Sequence, residues 1–166
     1  MARETAVVVC PGRGTYTKAE LGYLHRYHTD KTAFINQIDR YRRQLKQPAI
    51  AELDAMPRYS TDVHNVGENV SALIYACALC DITDIDADRF DIVAITGNSM
   101  GWYLALAAAK TLDELAAIQV VNTMGSMMKD DIIGAQIAYS VVDKDWRIDS
   151  DAIATVQRVL KEVNEN

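Results

Sequence analysis

The chain of 166 residues lacks any apolar run near the ~18 residues that a membrane-crossing helix needs. Its start, Met1-Ala2-Arg3-Glu4-Thr5, carries an acidic residue, and the apolar run behind it is too short for a secretory signal. Basic residues form no block longer than Arg42-Arg43, and the net charge is −6. That balance argues against a nucleic-acid partner and against an anionic membrane surface. Cysteine is scarce: three residues, an odd count without framework spacing. This fits a reducing, cytoplasmic setting rather than a disulfide scaffold. Cys77 and Cys80 make a C-x-x-C pair, but inside an apolar helical stretch, where buried core thiols are the expectation. Histidine is equally scarce. His25, His28 and His64 are all there are, and two of them three residues apart lack the third ligand a metal site needs. No internal repeat or low-complexity segment is present.

What is there centres on Gly97-Asn98-Ser99-Met100-Gly101. The apolar run Ile92-Val93-Ala94-Ile95-Thr96 leads in, and a helical run from Trp102 to Ala109 leads out. Strand, glycine-flanked turn and helix form the layout of a G-x-S-x-G nucleophile elbow. The two glycines let the backbones before and after the serine pass closely. The turn lifts the Ser99 hydroxyl and aims the first free N–H groups of the helix at it. The same pentapeptide also fits a serine that merely caps the helix.

The flanking chain reads as α/β with a parallel sheet. Thr5 to Cys10 is rich in β-branched residues and stops at Pro11-Gly12, as a buried parallel strand would. Gly12-Arg13-Gly14-Thr15 follows. A dinucleotide fingerprint is discounted, because Thr17 stands where the third glycine belongs and Pro11 breaks the entry. Helices are expected over Lys18 to His28, Thr32 to Leu45, Asn65 to Cys80, and from Leu112 to Met128. In the second, Phe34, Ile38, Tyr41 and Leu45 read inward and Asp39, Arg40 and Arg43 outward. Ala135 to Val142 reads as a strand. Ser150 is placed to cap a last helix with Ile153, Val156, Leu160 and Val163 inward.

These segments carry a resemblance. Pro11-Gly12-Arg13-Gly14-Thr15 resembles the P-G-Q-G-S opening of malonyl-CoA:acyl carrier protein transacylases and polyketide synthase acyltransferase domains. Gly97-Asn98-Ser99-Met100-Gly101 resembles their G-H-S-x-G, and Asn69-Val70-Ser71-Ala72-Leu73 falls where they have T-Q-P-A-L. Order and spacing of all three agree. The resemblance covers the whole chain but only the N-terminal half of the family. It implies an α/β-hydrolase-like acyltransferase core over residues 1–128 and the beginning of a small ferredoxin-like subdomain over residues 129–166. It implies ping-pong transfer of an acyl group from coenzyme A to an acyl carrier protein thiol. Ser99 would be the nucleophile, with the backbone N–H groups of Arg13 and Met100 as oxyanion hole. Gly12, Asn69, Asn98 and Met124 would line the substrate. Acyl-CoA enters as substrate; no bound cofactor and no metal are implied.

The departures narrow the expectation. Asn98 replaces the histidine before the serine, and an amide takes up no proton at neutral pH. Trp102 replaces an acidic residue. Met124 stands where the family carries its carboxylate-binding arginine, so a preference for malonyl is not expected. The family's general-base histidine lies in the half that this chain does not match. Two classes therefore stay open: an acyltransferase, or acyl-ester hydrolase of the same fold, and a catalytically impaired acyl- or carrier-protein-binding relative. An ordinary α/β-hydrolase esterase is disfavoured, because no histidine follows Ser99. A companion chain or self-association would complete the sheet and supply the base.

Overall fold

A computed structural model describes residues 3–127 and 139–164. The chain divides into two compact units, residues 1–131 and 132–166. Among the described residues there are two parallel strands and eight α-helices.

In the first unit, β1 (Glu4–Cys10) pairs with β2 (Phe90–Gly97), from Glu4 opposite Phe90 to Cys10 opposite Gly97. The register slips between Ala6 and Val7, which face Ile92 and Ala94, so Val93 is the extra residue. Such a bulge bends and twists the strand that carries it. Between the strands the chain forms α1 (Tyr23–Tyr27), α2 (Thr32–Gln44), α3 (Ile50–Asp54), α4 (Thr61–His64) and α5 (Gly67–Thr83). After β2 come α6 (Gly101–Ala108) and α7 (Glu114–Ser126).

Helix α5 is the core. It is apolar all round, and such a helix belongs inside. Ala72, Leu73, Tyr75 and Ala76 are fully buried. It crosses α7 where glycines allow it. A Cβ on Gly67 would lie 2.3 Å from the Gly125 carbonyl oxygen, and one on Gly125 would lie 2.6 Å from that of Gly67. Beside the crossing, Arg42 of α2 is buried completely. Its guanidinium donates to Pro48 O at 2.8 Å, Glu68 O at 2.7 Å, Asn122 Oδ1 at 2.8 Å and Asn69 Oδ1 at 2.5 Å. Burial lowers its pKa to about 10, offset in part by the carboxylates of Glu68 and Asp39. One planar fork thus ties α2, α5 and α7 together.

Several expectations need correction. The strand Thr5 to Cys10 is covered on one face only: Val8 and Ile95 pack on the helices, while Val7, Val9 and Val93 are exposed. Among the described residues no helix of the first unit lies over that second face. Of the helix expected over Lys18 to His28, only Tyr23–Tyr27 forms. Its first half is replaced by a turn in which Glu20 accepts from the Thr17 N–H and hydroxyl. Asp39 points inward, where Oδ1 accepts from the Ile50 N–H at 2.7 Å and holds the start of α3; Leu45 is exposed instead. Helix α7 begins after Asp113, whose side chain caps Ala116 N. Leu115 is exposed, whereas Ile118, Val121 and Gly125, which follow it at helical spacing, are buried. Met128 lies outside the described residues.

In the second unit the strand expected over Ala135 to Val142 lies partly outside the described residues. Its described end forms one antiparallel bridge, Val142 to Ile148. Helix α8 (Ser150–Asn164) is capped by Asp149, not Ser150: Asp149 Oδ1 accepts from the N–H groups of Asp151 and Ala152. A carboxylate at that point also suits the helix dipole. Along its apolar stripe Ile153 and Val156 are half-buried, but Leu160 and Val163 are exposed. Among the described residues no helix is long and apolar enough to cross a membrane.

The Arg42 network sets a stability test. Replacing Arg42 with alanine strands the buried acceptors around it. At ~1–3 kcal/mol for each unmet polar group, the loss should be at least about 3 kcal/mol. Urea unfolding measures it. Arg42→Lys should recover only a minor part, because an ammonium cannot reproduce the fork.

Candidate functional site

Strand β2 ends at Gly97 and α6 starts at Gly101, so the turn has only Asn98, Ser99 and Met100 to reverse direction. The approach it forces is extreme. A Cβ on Gly97 would sit 2.1 Å from the Gly101 carbonyl carbon, and one on Gly101 would sit 2.2 Å from the Cys10 carbonyl oxygen. Neither position can hold a side chain. Ser99 itself has φ +54°, a left-handed conformation that a non-glycine residue adopts at a cost of ~1–2 kcal/mol. Strain of this kind at a serine between strand and helix is the mark of an elbow.

Ser99 does not cap the helix. The residue before α6 is Met100, and no side-chain hydrogen bond caps it. The Ser99 hydroxyl is exposed and has no partner among the described residues.

The loop after β1 stands across from it. A Cβ on Gly12 would lie 2.8 Å from the Asn98 carbonyl oxygen and 3.4 Å from the Ser99 Cβ. A cavity of about 240 Å³ opens here, lined by Arg13, Ser71, Ser99, Met100, Tyr103, Met124 and Gly125. The backbone N–H groups of Arg13 and Met100 donate to no acceptor among the described residues. Both residues line the cavity together with Ser99, and unpaired N–H groups are what an oxyanion hole requires.

The structure thus brings together Ser99, Arg13, Met100 and Met124 around one space, with Gly12 at its side. Asn98 is exposed, and its backbone is spent on the turn, accepting from Gly101 N at 2.8 Å. Asn69 is elsewhere. Its amide accepts from Arg42 and donates to the Val63 carbonyl at 2.9 Å, so its hydrogen bonds serve the core. Ser71, Tyr103 and Gly125 were not singled out from the sequence. Ser71 and Asn69 share the motif but project differently from α5; a polar residue two places away in an otherwise apolar helix was the available signal. Tyr103 follows Ser99 at helical spacing.

The histidines are engaged away from this cavity. His25 Nδ1 lies 2.7 Å from Asp54 Oδ2, and His28 Nε2 lies 2.8 Å from Asp81 Oδ1. His64 is buried, stacked against Tyr59, with Nε2 3.1 Å from the Leu53 carbonyl. No group of three His, Cys, Asp or Glu among the described residues could hold a metal. Burial pushes the thiols of Cys10 and Cys77 up and that of Cys80 to about 12. None of them is a thiolate at neutral pH.

No protein-family model matches the chain, and no curated protein matches it either.

The strain at Ser99 predicts an unusual mutant. Ser99→Gly should raise stability by about 1 kcal/mol, which is ~2–4 °C in Tm for a chain of this size. Differential scanning calorimetry reads it. A loss of stability would show that the positive φ at Ser99 is not a source of strain.

Proposed function

We propose that this protein is a serine acyltransferase that takes an acyl group from a coenzyme A thioester and passes it to an acyl carrier protein thiol. The observation that carries the reading is the cavity that unites a strained, unpartnered Ser99 with two free backbone N–H groups. In the forward half-reaction Ser99 Oγ attacks the thioester carbonyl. The carbonyl oxygen becomes an oxyanion held by Arg13 N–H and Met100 N–H. The intermediate collapses with cleavage of the C–S bond, the serine proton ends on the departing thiol, and an oxygen ester remains on Ser99. Attack by the carrier thiol reverses these steps.

Chemistry limits the rate. No histidine, carboxylate or lysine lines the cavity among the described residues, so nothing there takes the Ser99 proton. Loss of the base from a serine enzyme costs several decades, leaving oxyanion stabilisation and binding. The same observation is what keeps a second reading open, an acyl- or carrier-protein-binding relative that acylates slowly. A companion chain or second copy that supplies the base belongs to the first reading; the exposed Val7, Val9 and Val93 offer it a face.

Met124 is the only long aliphatic side chain in the lining besides Met100. A methionine makes no bidentate contact with a carboxylate. Acetyl-CoA and malonyl-CoA should therefore acylate at comparable rates. Met124→Arg should add a malonyl preference of roughly one to two decades, from one charge-assisted contact worth ~1.5–3 kcal/mol. Intact mass spectrometry after incubation with each thioester follows the adduct. Ser99→Ala should abolish it. No adduct with any thioester would leave the binding reading.

A further inference from the structure

Resting on the acyl-transfer reading, the cavity also speaks to what the acyl group is. Ser71 is 1% exposed, yet its hydroxyl bonds nothing among the described residues. That is unusual twice over. Buried hydroxyls are nearly always paired. A serine in mid-helix normally bonds back to a carbonyl one turn earlier, as Thr83 does to Cys80 at 2.7 Å. Ser71 instead lines the space in front of Ser99.

Its access depends on Gly125. A Cβ at that position would lie 2.9 Å from Ser71 Oγ, so a side chain there would sit on the hydroxyl. The glycine that lets α5 and α7 cross also keeps Ser71 open.

The lining runs from exposed Arg13 and Ser99 to buried Ser71 and Gly125. At about 240 Å³ the cavity is below the ~300–1,000 Å³ that holds a drug-sized ligand. It suits a short acyl group. The buried end holds no charge, so a carboxylate placed there would be unpaired. A neutral oxygen would be satisfied, since a hydroxyl both donates and accepts.

We propose that Ser71 is a specificity-determining residue whose hydroxyl hydrogen-bonds a neutral oxygen substituent of the acyl group on Ser99. The preferred acyl groups are then short hydroxyacyl or oxoacyl groups rather than plain alkanoyl ones. A site built to bond a substrate hydroxyl rejects the analogue that lacks it, because its own polar group is left unpaired.

The test compares 3-hydroxybutyryl-CoA with butyryl-CoA, which differ by one hydroxyl. Initial rates of adduct formation on Ser99 are followed by intact mass spectrometry in the wild type and in Ser71→Ala. The wild type should favour the hydroxyacyl donor by roughly 10–100-fold. In Ser71→Ala the ratio should fall to near one, through faster butyryl and slower hydroxybutyryl acylation. Thermal unfolding of Ser71→Ala should match the wild type, because the hydroxyl holds no part of the protein. Equal rates in the wild type, an unchanged ratio in Ser71→Ala, or a variant that fails to fold would each overturn the assignment. Acylation by butyryl-CoA without discrimination refutes this inference alone. No acylation by either donor, or by acetyl-CoA, removes the acyl-transfer reading and this inference with it.

Discussion

Three backbones meet at the end of β2 more closely than any side chain permits. Gly97 meets Gly101, Gly101 meets the Cys10 carbonyl, and Gly12 meets Asn98. Everything at the candidate site follows from that convergence. The turn is short because the backbones can touch. Ser99 is driven to positive φ because the turn is short. The first N–H of the helical region, at Met100, is left free because the chain turns before it can find a carbonyl. Arg13 N–H is brought alongside because the loop after β1 packs directly on the elbow.

Several buried polar side chains elsewhere are fully engaged. Arg42 spends its guanidinium on neighbouring oxygens. Buried Asp54 accepts from the Tyr16 hydroxyl at 2.6 Å and from the ring and backbone of His25. Asp39 holds α3. Against that background the groups around Ser99 differ. The Arg13 and Met100 N–H groups and the Ser71 and Ser99 hydroxyls have no partner among the described residues, and all four residues line one cavity. Buried His28 Nδ1 and Gln47 Oε1 also lack a hydrogen-bond partner; what sets the Ser99 region apart is that two open hydroxyls, those of Ser99 and Ser71, belong to residues lining one space.

The elbow was legible in the sequence because its cause is local. Two glycines, a serine between them and the apolar runs on either side are enough to specify it. The parallel pairing of β1 and β2 was legible from β-branched runs ending at turns. What stayed hidden depends on contacts between distant segments. Asp39 looks like a solvated helix residue until α3 folds over it. Asn69 looks like a site amide until Arg42, 27 positions away, claims it. Ser71 looks like filler in an apolar helix until Gly125 is seen to uncover it. Helical periodicity assigns a face but not what lies against it. The half-covered strand failed for the same reason: a run of β-branched residues states that a strand wants burial, not that both faces receive it.

The remaining tension lies between the oxyanion donors and the proton. Free N–H groups at a helix start stabilise negative charge on a bound oxygen, and the exposed Arg13 side chain adds a cation at the rim of the same cavity. Both ease formation of an anion on the substrate. Neither accepts the proton that Ser99 must lose. With the oxyanion hole and binding alone, serine enzymes stripped of their triad still exceed water by ~10³–10⁴. A thioester is an activated acyl donor, so in the proposed reaction that residual factor would permit slow acylation while falling short of rapid turnover. On the proposed acyl-transfer reading, the lining as it stands suits slow acylation of Ser99 better than rapid cycling. Within that proposal, an additional base beside the Ser99 hydroxyl, brought by any polypeptide that reaches this cavity, is the chemical addition that would turn slow acylation into turnover.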